Sequence, residues 1–235
     1  MLNEFLKSKS WSPKLVGEFL KELGKAENAY TAEEKCAFIE KAAKELLKRG
    51  GNANVSSAEN ILIYATQHYF SSVEPQVKAS IYYVLGGLYE IHKESFVRAY
   101  TFYEKYTLNN KVNGGTHAVM LKALILRDNF TYSDELEKEF RMSLAEADLG
   151  LKNDRIYENL GRYIILKHEG NDEEAASVMK RLWGIVKTDE LILPDLIIKK
   201  NLNDRVKVPQ CVVDFIKEGF NFLKETQAQE DVKAE

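Results

Sequence analysis

The sequence predicts an all-α fold: an antiparallel helix-hairpin array of about four to five hairpins, closed by a C-terminal capping helix. Three observations predict it. Apolar residues recur three and four positions apart through most of the chain, the spacing of one helix face. Helix starts carry recognisable caps, and short Gly- and Asn-rich turns separate the helical stretches. No stretch reads as a strand.

Taken in order, Ser12-Pro13 pairs an N-cap with a proline in the first helical position. The helix after it carries Leu15, Val16, Phe19, Leu20 and Leu23 on one face. Thr31-x-x-Glu34 is a capping box that opens a helix with Cys36, Ile39, Ala43, Leu46 and Leu47 as its apolar side. Gly50-Gly51 stops it. Ser56-x-x-Glu59 is a second capping box, predicting a helix start there, and Ile61, Ile63, Tyr64 and Tyr69 follow it. Helices are then predicted at 76–92 and 95–108, with Ser95 as N-cap of the second, and at 116–129 and 133–149. A last pair is predicted at 154–168 and 172–187, with Asn171 as cap and Glu174 three residues on. Beyond 189 an apolar segment broken by Pro194 leads into a polar connector at 199–207. Pro209 opens a final helix to about Lys224. Its stripe of Val212, Phe215, Ile216, Phe220 and Leu223 is expected to pack on the 172–187 helix against Met179, Leu182 and Trp183. Residues 1–225 read as one domain, and the polar tail 226–235 as disordered.

The most informative stretch is Tyr82-x2-Leu85-Gly86-x2-Tyr89, followed by Ala99 and, four residues on, Tyr103. Residues three and four apart share a helix face, so Tyr82, Leu85, Gly86 and Tyr89 form one stripe. Glycine inside a helix costs roughly 1 kcal/mol against alanine, which points to another helix crossing close to Gly86. The pattern returns as Tyr157-x2-Leu160-Gly161, with Ile164 in the second aromatic place and Ala175, Ala176, Met179 and Trp183 beyond a turn. The stretch 76–187 therefore resembles the tetratricopeptide repeat (TPR) family, whose units are about 34 residues long. The copies start 75 residues apart, so each unit would carry a few extra residues, and the unit between them lacks the signature.

The resemblance implies an α-solenoid whose first helices line a concave groove. Carried onto the two good units, the groove positions are Ser80, Tyr83, Gly87 and Glu90, then Arg155, Glu158, Arg162 and Ile165. Tyr83, Gly87, Glu90, Arg155, Glu158 and Arg162 are the expected partner-binding residues, with Tyr83, Glu90, Arg155 and Arg162 exposed on one broad surface. Some family members hold a partner's C-terminal carboxylate with Lys and Asn at two such places. Here those places hold Tyr83 and Gly87 in one unit and Glu158 and Arg162 in the other, so that pattern is not met.

Composition narrows the function classes. A net charge of −3, with Lys and Arg spread along the chain, argues against a general nucleic-acid binder. No apolar run approaches the length of a membrane span. The N-terminus has no signal-peptide core, and Cys36 and Cys211 read as free thiols, which gives a cytoplasmic protein, nuclear not excluded. The triplets Asn54-Val-Ser and Asn129-Phe-Thr match the glycosylation pattern by chance on that reading. His68, His92, His117 and His168 lack metal-ligand spacing, and no nucleophile or nucleotide motif is present, so no catalytic residue, metal or cofactor is expected. The expected function is a non-catalytic scaffold or adaptor that binds a partner peptide or helix. The alternatives are a structural subunit of a stable complex with no free groove, and an enzyme or small-ligand protein on a helical scaffold.

Overall fold

The computed structural model describes residues 5, 7–8, 11–25, 30–110, 115–146, 155–184 and 208–234. Among these residues every regular element is helical and there is no strand. The chain divides into two compact units, Met1–Thr116 and His117–Glu235, where the sequence predicts one domain.

The first unit holds α1 (Pro13–Gly24), α2 (Ala32–Arg49), α3 (Asn52–His68), α4 (Pro75–Gly87) and α5 (Phe96–Asn109). Ser12 caps α1 by accepting the Leu15 N–H, and Thr31 and Glu34 complete the reciprocal capping box of α2. Helix α2 pairs with α3, and α4 with α5; α2 also reaches α4, and α1 rests on α3. The apolar faces of α1 and α2 are buried as their spacing requires, through Phe19, Leu23, Cys36, Ile39 and Leu46.

One helix start differs from expectation. Gly50 and Gly51 take φ of +68° and +81°, so the chain reverses within two residues and α3 begins at Asn52. Ser56 is therefore inside the helix rather than its cap. The polar residues of this first turn serve another purpose. Asn54 accepts the Trp11 N–H (3.3 Å) and donates to the Gly50 carbonyl (2.9 Å), while Ser57 donates to the Trp11 carbonyl (3.0 Å). Trp11, 1% exposed, packs its ring on Phe5 and Phe19 and pins the segment before α1. Buried and doubly bonded, Asn54 is a structural residue of this joint.

The second unit holds α6 (Thr116–Arg127), α7 (Asp134–Glu146), α8 (Arg155–His168), α9 (172–184) and α10 (Gln210–Ala234). Helix α7 packs on α8. Asn171 caps α9, its side-chain oxygen accepting the Glu174 N–H (3.3 Å). The apolar segment at 191–198 and the connector at 199–207 lie outside the described residues. Helix α10 packs where its stripe predicts: Phe220 stacks on Trp183 at 5.0 Å, and Val212 and Ile216 are fully buried. Instead of ending near Lys224, α10 runs to Ala234. The expected disordered tail is rich in Ala, Gln, Glu and Lys, all strong helix formers, and a helix already nucleated by packing extends through them at little cost. Among the described residues no helix is long and apolar enough to cross a membrane.

Candidate functional site

The site expected from the sequence begins on α4, and its stripe is where the spacing puts it. Leu85, Gly86 and Tyr89 are buried, and Ala99 and Tyr103 of α5 are each 1% exposed. The close crossing at Gly86 is made by a tyrosine ring. A Cβ placed on Gly86 would lie 2.6 Å from Tyr103 Cδ1 and closer still to Cε1. Glycine at 86 leaves the space that the Tyr103 ring fills.

The ring's hydroxyl then reaches Glu90, to which it donates a hydrogen bond. Glu90 is only 1% exposed, so the expectation of an exposed Glu90 is corrected. The reason is local. After Gly87 the helix widens into a π turn over Leu88–His92, and the Ser95 N–H closes it on the Tyr89 carbonyl at 2.9 Å. A π turn adds a residue to the helical turn. Glu90 stands four residues after Gly86 and three after Gly87, so it shares the face that meets Tyr103, and its carboxyl reaches the Tyr103 hydroxyl. Ser95 precedes α5 but makes no side-chain cap bond.

Tyr83, one turn before Gly87, is 44% exposed, its ring 5.2 Å from Tyr106 and 6.0 Å from Tyr103. Gly87 is half-buried, and a Cβ there would meet only the Tyr103 hydroxyl, at 3.8 Å. Ser80 is half-buried as well. In the second unit, Glu158 is half-buried and Arg162 is exposed, pairing with Glu174 of α9 at 2.5 Å. Ile165, 5% exposed, belongs to the core and not to a groove. The side chain of Arg155 lies outside the described residues.

The other face of α4 and its π turn carries a charged network that sequence reasoning missed. Glu59 of α3 accepts hydrogen bonds from Tyr89 and Lys93, and Arg98 lies 5.5 Å from the Tyr89 ring. Phe102 stacks on Tyr89 at 5.4 Å. Burial alone would raise the Glu59 carboxyl, but the bonds from Lys93 and Tyr89 and the nearby cations outweigh it and hold it below its ordinary value. A carboxyl lowered in the folded state contributes stability above its unfolded pKa, and that contribution is lost as pH falls through the lowered value. Glu59→Gln should therefore remove part of the acid-side fall in melting temperature below about pH 4. Melting curves of both proteins across that range check it; parallel pH profiles would show that the network carries none of the dependence.

Histidines do not gather into a centre. His117 Nδ1 lies 2.7 Å from Glu139 Oε2, and His168 stacks on Tyr132 at 3.6 Å. Among the described residues no group of three His, Cys, Asp or Glu is arranged to hold a metal ion. Cys36 is fully buried, and burial pushes its thiol up to about 11. Comparison with protein-family models, curated proteins and solved structures gives no match.

Proposed function

We propose that this chain is a non-catalytic protein-interaction scaffold or adaptor of the TPR-like kind, binding a partner peptide or helix on a helical surface. The observation that carries the reading is the contact of α2 with both its hairpin partner α3 and the next first helix, α4. Hairpins that touch through alternate helices stack in a row, share a core and leave a row of first helices as a surface. On α4 that surface carries Tyr83, a half-exposed aromatic of the type that dominates binding energy at interfaces.

Glu90 takes no direct part in this reading; Tyr83 and Gly87 remain its contact residues on the first unit, and Glu158 and Arg162 those on the second, each unit taken by itself. The double variant Tyr83→Ala/Arg162→Ala should weaken a captured partner by roughly thirtyfold or more, the effect of losing one hot-spot residue of about 2 kcal/mol. Its melting temperature should fall only modestly, because the Arg162–Glu174 pair is exposed and such pairs contribute little, while the partly exposed Tyr83 gives up its packing on Tyr106. Affinity capture from native extract, then titration of the partner with both proteins, tests this. Unchanged affinity for every partner removes the reading.

A second reading, a subunit consumed in a stable assembly, is favoured by the outer face of α5. Val97 and Leu108 are 67% and 78% exposed, with exposed Thr101 and Glu104 between them at helical spacing. Loss of a stoichiometric partner on Val97→Glu/Leu108→Glu, with none lost on the Tyr83/Arg162 variant, would select it.

A further inference from the structure

We infer that the face of α5 carrying Arg98 and Lys105 is a docking strip for an acidic segment of a partner protein. The strip lies on the return helix of its hairpin and does not depend on the Tyr83 surface. Arg98 and Lys105 are both exposed and stand seven residues apart, about 10.5 Å along the helix axis. Phe102, half-buried between them, shares their face.

The two cations are laid on aromatic rings. Lys105 Nζ lies 5.6 Å from the ring centres of both Tyr82 and Phe102, and the Arg98 guanidinium 5.5 Å from that of Tyr89. The rings themselves form a row, Tyr82 to Phe102 at 6.2 Å and Phe102 to Tyr89 at 5.4 Å. A long side chain already resting on a ring gives up less freedom when a partner binds it. The cations also lack a carboxylate. Arg49, Arg127, Arg141 and Arg162 each pair with one, whereas among the described residues Arg98 and Lys105 do not. The charge of Arg98 acts on the Tyr89 hydroxyl and on Glu59, but Glu59 already accepts from Tyr89 and Lys93. A guanidinium has several N–H donors to offer outward. Glu104 stands on the next row of α5, where it accepts from Tyr100, and Glu94 sits in the turn before the helix. Leu108, three residues after Lys105 and 78% exposed, ends the strip with an apolar contact. A protein segment uses both the charges and this leucine. A nucleic acid would want open ring faces for its bases, and here the cations cover them.

An amide-resolved NMR titration of the full chain tests the strip, with a peptide of alternating Glu and Gly, a matching peptide of Gln and Gly, and a single-stranded oligonucleotide. The Glu-Gly peptide should bind and shift the amides of 98–108, and the Gln-Gly peptide should not. Arg98→Gln/Lys105→Gln should weaken the Glu-Gly peptide about tenfold, the effect of losing two exposed charge pairs. Lys41→Gln/Lys48→Gln removes the same charge at the same spacing from exposed positions of α2 and should change affinity less than about twofold. Phe102→Leu keeps every charge and should still weaken binding about threefold, because it takes away a ring beneath Lys105. Melting curves confirm that each variant folds. Equal losses from the two double variants overturn the strip, as does a Glu-Gly peptide that fails to bind. Tighter binding of the oligonucleotide, lost on Arg98→Gln/Lys105→Gln, gives the face to nucleic acid and overturns the acidic segment.

Discussion

Gly86→Leu should destabilise the first unit by about 3 kcal/mol, the upper end of what overpacking a core costs. The first added carbon already overlaps the Tyr103 ring, with Cδ1 at 2.6 Å and Cζ at 2.9 Å. That ring cannot swing aside cheaply, because it is 1% exposed and tethered through its hydroxyl to Glu90. Displacing it also strips a buried carboxylate of a hydrogen bond, a second cost of the same order. Gly161→Leu meets Leu121 Cδ1 at 3.2 Å and Phe140 Cδ2 at 3.3 Å, contacts that a few tenths of an ångström of adjustment relieve, so it should cost less. Gly87→Leu meets nothing closer than 3.8 Å and replaces a poor helix former, so it should be the mildest. Urea melts of the three variants give the ranking 86, then 161, then 87; equal losses at 86 and 87 would remove the assignment of their faces.

That ranking also measures what a sequence of this kind makes legible. Helix existence follows from periodicity, and the close approach at Gly86 follows from a glycine in a helix that nothing local favours. Which group makes the approach did not follow. Gly86 meets the ring of its own hairpin partner, whereas Gly161 meets Leu121 and Phe140 of the preceding hairpin, so two copies of one spacing serve different crossings.

The error at Glu90 lies in carrying the family's groove positions onto this chain. Glu90 stands four residues after Gly86, on the face that Tyr103 covers, and only tertiary packing reveals the buried Glu90–Tyr103 bond that closes that face. The Trp11 joint was hidden for a related reason. Its partners Asn54 and Ser57 lie 43 and 46 positions away, a separation that no local pattern links. Ser56 misled in the opposite way, since a capping box predicts a start but the glycine pair before it had already supplied one.

Truncation after Val208 should give a product whose second unit is unfolded or poorly soluble. Helix α10 buries Val212 and Ile216 completely and stacks Phe215 on Phe130 at 4.4 Å and Phe220 on Trp183 at 5.0 Å. Fully burying one large apolar side chain contributes about 1.5–3 kcal/mol, so Val212 and Ile216 together with the half-buried Phe215 and Phe220 supply a large share of the stability of a small domain, roughly 5–15 kcal/mol. The contact is close along its length: a Cβ on Gly219 would sit 2.8 Å from Met179 Cε and 3.3 Å from its sulfur. The turn after α6 gives independent support. Asn129 and Phe130 take φ of +50° and +60°, a conformation that costs a bulky residue strain. Such strain persists only where the surroundings over-determine it, and the stack of Phe130 on Phe215 of α10 does so. Removing α10 thus exposes the apolar faces of Met179, Trp183 and Phe130 and leaves the strained turn without its counterweight. A docking helix would behave otherwise, leaving a soluble truncated protein with unchanged melting that has lost only its partner. Circular dichroism, thermal melts and size-exclusion chromatography of the 1–208 product separate the two. Phe222 gives a finer control: it is 68% exposed. Phe222→Ala should therefore leave stability nearly unchanged, while Phe220→Ala, which loses a half-buried ring stacked on Trp183, should cost about 1.5–3 kcal/mol.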